Sequence, residues 1–194
     1  MAEDVKPIRR VVTGNDERGR SRVVWDGPAP DVHHGKDGAN SWTDLWVWYE
    51  TPPPLSGSTD DGSLPYEFPG PPRGGHLRVV QNNGRPPGYD PAQDIRFGLP
   101  HPPKPRSSNN RVWDRGSRNI YAADIHKTET VDYGMLLEGE RNLILDDGRV
   151  TWRPGDVAIQ VGSWHQWSSP TQMGRVLYDM VAARFVDPTS RRTW

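Results

Sequence analysis

Cysteine is absent from all 194 residues. That excludes a disulfide framework and any thiolate metal site, and leaves His, Asp and Glu as the side chains able to hold a metal. An excess of charge of either sign is missing too. Lys plus Arg number 24 and Asp plus Glu 25, a formal net charge of -1, so no general field holds a polyanion and nucleic acid is not an expected partner. No run of about 18 consecutive apolar residues occurs, as a membrane span would need. The N-terminus, Met1-Ala2-Glu3-Asp4-Val5-Lys6, carries two acids and no following apolar stretch, unlike a secretory leader, so a cytoplasmic location is expected. Helical periodicity of convincing length is lacking, and so is any internal repeat.

What the chain has in quantity is turn formers and indoles. Twenty Gly and twenty Pro approach a disordered composition. Nine Trp, spread from Trp25 to Trp194, argue for a folded chain, because disordered segments have nothing for indoles to bury against. Short β-branched runs closed by Gly, Pro, Asn or Asp read as strands over Ile8–Thr13, Ser21–Trp25, Leu45–Tyr49 and Leu77–Gln81. Fourteen of the twenty prolines lie between Pro52 and Pro105, marking a long Pro/Gly-rich surface arm. From Ile120 the texture changes to hairpins. Leu143-Ile144-Leu145 meets Arg149-Val150-Thr151-Trp152 across Asp146-Asp147-Gly148, where the Asp-Gly step is expected to supply positive φ. Arg153-Pro154-Gly155-Asp156 is a second turn, and Val176 to Val186 reads as a strand. The expectation is an all-β protein: 1–119 as N-terminal strands and Pro/Gly-rich arm completing a barrel, 120–187 as its core, 188–194 as a tail. The strands from Ile8 to Trp25 join the sheets or a partner's. An unpaired N-terminal strand is an aggregation hazard, so a homodimer covering it is expected.

Two histidines, His126 and His165, stand in the hairpin region. In one continuous strand His126, Thr128, Thr130 and Asp132 share a face. That polar face suits either an edge strand in water or a barrel interior that holds a ligand or metal. Trp167 falls on the His165 side of its strand, while Trp164, Trp46 and Trp48 read as core. His33, His34 and His101 sit near Pro and Gly and read as exposed loop. His76 opens a strand and is expected at the pocket mouth. The basic run Lys104, Arg106, Arg111, Arg115 and Arg118 reads as a solvated loop or an anchor for a substrate carboxylate.

The segment His126-Lys127-Thr128-Glu129-Thr130-Val131-Asp132-Tyr133, running on to Leu137-Glu138-Gly139-Glu140, resembles the first motif of the cupins. Gly155-Asp156-Val157 and Gly162-Ser163-Trp164-His165-Gln166-Trp167 resemble the second. More narrowly, the His-x-Thr-x-Thr-x-Asp-Tyr variant is similar to a subgroup of small single-domain cupins of the conserved-barrel type. That subgroup also shares the Arg9–Gly14 and Asp26–Pro30 segments. The resemblance implies a double-stranded β-helix, a jelly roll whose two sheets face one another around a cavity. It also implies that His126, Asp132 and His165 take the places of three metal ligands, with Thr128 where a second histidine usually stands. Two imidazoles and a carboxylate are the ligand set of a facial triad for a divalent metal such as Fe, Mn, Ni or Zn, and no organic cofactor is implied. The same three residues also suit metal-free acid–base chemistry, with Asp132 fixing a histidine tautomer.

The expected function is that of an enzyme acting on a small oxygenated or aromatic acid or enol, of decarboxylase, dioxygenase or isomerase type. His165, His126 and Asp132 are its catalytic or metal residues, and Trp167, Thr128, Thr130 and His76 hold the small-molecule substrate. A non-catalytic metabolite-binding cupin is the alternative, and a sugar epimerase or isomerase stands third.

Overall fold

The computed structural model describes residues 5–35, 40–62, 70–85, 87–90, 102–106, 111–116, 122–169 and 173–187. Much of the Pro/Gly-rich arm, His101 and the tail from 188 lie outside them. No helix occurs among the described residues.

The first sheet has six strands in the order β12-β9-β14-β5-β4-β3. These are β3 (Asp31–His34), β4 (Asn40–Trp48), β5 (Gly75–Asn82), β9 (Thr130–Glu138), β12 (Val157–Gln160) and β14 (Gly174–Ala182). Facing it are two three-stranded sheets. One holds β10 (Arg141–Leu145), β11 (Gly148–Trp152) and β13 (Gln166–Ser168), and the other β6 (Lys104–Pro105), β7 (Val112–Gly116) and β8 (Ile125–Thr128). Antiparallel bridges Ala122↔Ser168 and His126↔His165 join them edge to edge. The outcome is a jelly roll with a core of Leu136, Leu143, Trp152, Trp167, Val176, Tyr178 and Met180 between its layers. Alternation on β14 produces this directly: Val176, Tyr178 and Met180 point inward and are buried. Gly134 makes room for them, since a Cβ there would lie 2.8 Å from the Tyr178 ring.

The run from His126 to Asp132 is not one strand. It breaks at Glu129, where the chain leaves the second sheet at Thr128 and enters the first at Thr130. Arg111 fixes this corner, its guanidinium donating to the Glu129 carbonyl (2.7 Å) and its own carbonyl accepting from the Glu129 N–H (3.1 Å). All four polar residues still face the interior and are buried.

A second irregularity lies in β4, where the register shifts between Asp44 and Trp46. Trp42 and Asp44 pair with Val80 and Arg78 on the inner face, whereas Trp46 falls opposite Leu77. Trp46 packs instead under Arg10, whose Cζ stands 5.8 Å from the ring centre, and against Gly62, where a Cβ would approach to 2.3 Å. Arg10 belongs to β1 (Arg9–Asn15), which pairs only with β2 (Ser21–Pro28) and stands apart from the larger sheets. β1 therefore finds its partner within the chain.

The hairpin β10–β11 forms as expected, with Leu145 opposite Gly148. Gly148 is not among the glycines of positive φ, however. It opens β11, and Asp146-Asp147 make the turn. Gly155, at +95°, does carry the second turn.

Inside the barrel, Arg78 and Asp44 form a buried bidentate pair (2.8 and 3.2 Å), each 1% exposed. Removing one partner of such a pair exposes the other to the full cost of burial. Asp44→Ala is expected to lower stability by about 3–5 kcal/mol, read as a shift in the urea-unfolding midpoint.

Candidate functional site

His126 and His165 exchange both backbone hydrogen bonds, at 2.9 and 3.0 Å, across the seam between β8 and β13. Directly opposed residues present their side chains to the same face, and the two imidazole centres lie 4.2 Å apart at 54°. Each ring is oriented by a carbonyl two residues earlier. Nδ1 of His126 donates to Asp124 (2.6 Å) and Nδ1 of His165 to Ser163 (2.9 Å), where the Gln160 amide also donates (3.1 Å). The Asp124 carbonyl can only accept, so His126 carries its proton on Nδ1 and keeps a lone pair on Nε2. At His165 the Ser163 carbonyl selects the same tautomer when it takes the Nδ1 proton, with the Gln160 amide nitrogen 3.0 Å from that nitrogen and donating to Ser163. Burial, followed by the neighbouring His165 and Arg106, holds His126 well below the usual imidazole range, and burial lowers His165 to about 4. Both are neutral at ordinary pH.

The pair lines a cavity of about 240 Å³. Trp167 forms its aromatic wall, with the ring centre 5.4 Å from that of His165. The opposite wall comes from the six-stranded sheet and includes Asp132, Arg78, Tyr178, Met180 and Trp42. Asp132 accepts from the Thr130 hydroxyl, while its Oδ1 is buried without a hydrogen-bond partner among the described residues. Burial pushes this carboxyl up to about 7, so it exchanges a proton near neutrality.

His126, His165, Asp132 and Trp167 thus meet around one cavity. Three expected contact residues do not line it. Thr128 and Thr130 bond to each other (2.7 Å) at the strand corner, and Thr130 bears on the cavity only through its hydrogen bond to Asp132. His76 is fully buried and contacts Met180 Sδ at 3.1 Å. Gly70 closes over its ring, so His76 never reaches a mouth.

The ligand atoms of the three expected metal residues do not converge either. Among the described residues, the group whose ligand atoms all lie within 4.8 Å of one another is Asp31, His33 and Asp44. Asp132 stands on the sheet across the cavity from the imidazoles, which is why the facial triad is not drawn together. His33 and His34 lie on β3 rather than in a loop. In the Asp31–His33–Asp44 group the Arg78 guanidinium already donates to both Asp44 oxygens, and a cation there competes with it.

Sequence reasoning passed over Arg141, Arg78, Tyr178, Met180 and Trp42. Arg141 carried a usable signal. It lies two residues from Leu143, the register partner of Trp167, and so on the same inward face of β10, where a cation amid inward apolar positions is out of pattern. From the basic run, Arg106 lines the cavity but is bound to Asp114 and Asp124 (3.4 and 3.3 Å). Arg115 pairs with Asp146 and covers Trp164 at 4.3 Å.

These shifts act oppositely on stability. Asp132 is raised, so its contribution is present below its unfolded value near 4 and is lost as pH rises through about 7. His165 is depressed, so its contribution is present above about 6.5 and is lost as pH falls toward about 4. Asp132→Asn is therefore expected to raise Tm relative to the parent at pH 8 and to leave it unchanged at pH 4, measured by differential scanning calorimetry. An equal offset at both pH values contradicts the assignment.

No protein-family model matches the chain. Similarity to curated proteins is local. The chain is 42% identical over 67 residues to phomopsin biosynthesis cluster protein C' of Diaporthe leptostromiformis, covering 32% of this chain and 35% of that one. It is 45% identical over 51 residues to the cupin-domain-containing oxidoreductase virC of Hypocrea virens, covering 26% of each. The match thus spans about a third or less of the length of these relatives. Among solved structures, a cupin-2 domain of Rhodospirillum rubrum aligns with TM-score 0.42 at 15% identity, over 81% of this chain and 72% of that one. The Cnp3 cupin domain of Schizosaccharomyces pombe aligns with TM-score 0.40 at 12% identity, over 90% and 87%. The fold is thus a jelly roll of two facing antiparallel sheets around a histidine-lined cavity, and over about a quarter of its length the chain is similar to proteins named as cupin-domain-containing.

Proposed function

We propose that the protein is a cupin enzyme that takes a small, flat, oxygen-rich acid or enol into the cavity and moves a proton from it to the imidazole pair. The carrying observation is that His126 and His165 are adjacent and neutral, with each Nδ1 against a carbonyl and each Nε2 without a hydrogen-bond partner among the described residues. A cavity of about 240 Å³ suits one small ligand, and Trp167 gives it an aromatic face.

His165 Nε2 accepts the proton of a hydroxyl or of a carbon next to a carbonyl. Asp132, titrating at about 7 on the opposite wall, returns or removes a second proton. The paired Nε2 atoms also fit two positions of a divalent metal, since each ring is oriented through its other nitrogen and is already neutral. A metal held there supplies Lewis-acid polarisation of the ligand's oxygens. Isomerisation removes and returns a proton at carbon, decarboxylation needs a proton delivered to the carbon that loses CO2, and oxidation needs proton removal with dioxygen as the electron acceptor. The fungal relatives named as oxidoreductases favour the last.

The second reading, a metabolite-binding cupin without turnover, is favoured by the distance of Asp132 from a common ligand centre with the histidines. A panel of keto acids, hydroxybenzoates and catechols, followed by mass spectrometry with and without oxygen and with added Fe, Mn, Ni or Zn, separates the two. Turnover that falls about 100-fold or more in His165→Ala supports the enzyme. Turnover that survives the change contradicts the site, and tight binding with no product from any compound supports the binding protein.

A further inference from the structure

Of the three arginines on the cavity wall, two are matched by carboxylates: Arg78 by Asp44, and Arg106 by Asp114 and Asp124. Arg141 is not. It is 3% exposed, it makes no ion pair among the described residues, and its one side-chain hydrogen bond at standard distance runs from a terminal nitrogen to Ser169 Oγ (3.0 Å). Its Nε is buried without a hydrogen-bond partner. The guanidinium lies 5.9 Å from the centre of the Trp167 ring and adjoins the Tyr178 phenol, and all three line the cavity with His126 and His165.

A buried guanidinium keeps its charge, because its intrinsic pKa lies far above any ordinary pH. Left unpaired, it is costly to bury. Its rigid fork of donors matches a carboxylate in the same plane, and an arginine aimed into a cavity serves that geometry better than any other side chain. Leu143, the next inward residue of β10, belongs to the apolar core and pairs with Trp167, so the guanidinium stands at the edge of an apolar cluster.

We infer that Arg141 is the anchor for a carboxylate of the ligand, seating it beside Tyr178 with the ligand's planar body along Trp167 and its reactive end at the histidine pair. This rests on the ligand-binding part of the function proposed above and makes its substrate class definite: a small organic anion. Arg141 is a specificity residue in this arrangement, because a neutral analogue of the same shape leaves the guanidinium buried and unpaired.

The experiment compares matched probes by isothermal titration calorimetry and by quenching of Trp fluorescence: benzoate against benzamide, salicylate against salicylamide, and pyruvate against acetone. The parent protein is expected to bind at least one acid tenfold or more tightly than its neutral partner, and Arg141→Met to reduce that ratio below twofold. Arg141→Lys, which keeps the charge but not the fork, is expected to retain part of it. Melting temperature gives a second readout that does not depend on the probe chosen. Arg141→Met without ligand is expected to melt at or above the parent temperature, since it removes an uncompensated buried charge, whereas a structural arginine would melt lower on loss. Acids and neutral analogues that bind alike, no binding of any acid at 10 mM, or discrimination that survives Arg141→Met each overturn the anchor, as does a variant that fails to fold or melts several degrees lower. Neither readout uses turnover, so carboxylate selectivity without product keeps the anchor and sinks the enzyme. Turnover without selectivity does the reverse.

Discussion

Two backbone hydrogen bonds between His126 and His165 hold the rest of the site in place. They join the β8 edge of one three-stranded sheet to the β13 edge of another and so complete the second wall of the barrel. They also make the two imidazoles direct cross-strand neighbours. A histidine pair could be supported by flexible loops, but then its spacing would vary with every loop motion. Here the sheet sets the spacing, and the carbonyls of Asp124 and Ser163 set the ring orientation.

The interior behind this pair is more ionic than a jelly roll needs for stability. Arg78, Asp44, Arg106, Asp132 and Arg141 sit on or beside the cavity wall. Charge is matched at Arg78 and Arg106 and left open at Arg141 and Asp132. Paired groups shape the walls, and the open ones mark where an outside molecule completes the bonding. Burial has the same origin at both ends of the cavity: it keeps the histidines neutral and lifts the Asp132 carboxyl toward neutrality, giving proton acceptors on one wall and an exchangeable proton on the other.

Much of this was legible from residue order. The strand from Val176 came from its β formers and the turn at Gly155 from local pattern, which strands and hairpins obey closely, while His126, Asp132 and His165 came from strand alternation together with the resemblance to the cupin motifs. What escaped depended on breaks in the pattern. The corner at Glu129 is held by Arg111 from a distant strand, and no local period announces it. The slip between Asp44 and Trp46 sends Trp42 to the cavity and Trp46 to the N-terminal hairpin. Without it, counting by twos puts both on one face. His76 was expected at the pocket mouth, yet Gly70 closes over its ring and it is buried. Thr128 and Thr130 looked like a polar lining, but their hydroxyls satisfy one another at the turn.

The central claim is that two adjacent, buried, neutral imidazoles present unoccupied Nε2 atoms to the cavity. Long-range proton–nitrogen correlation NMR on histidine-labelled protein at pH 6 tests it most directly, with His126→Gln and His165→Gln assigning the signals. The structure predicts two side chains in the Nδ1-protonated tautomer that are neutral at this pH, below the usual imidazole midpoint. Either ring found doubly protonated at pH 6, or carrying its proton on Nε2, would contradict it.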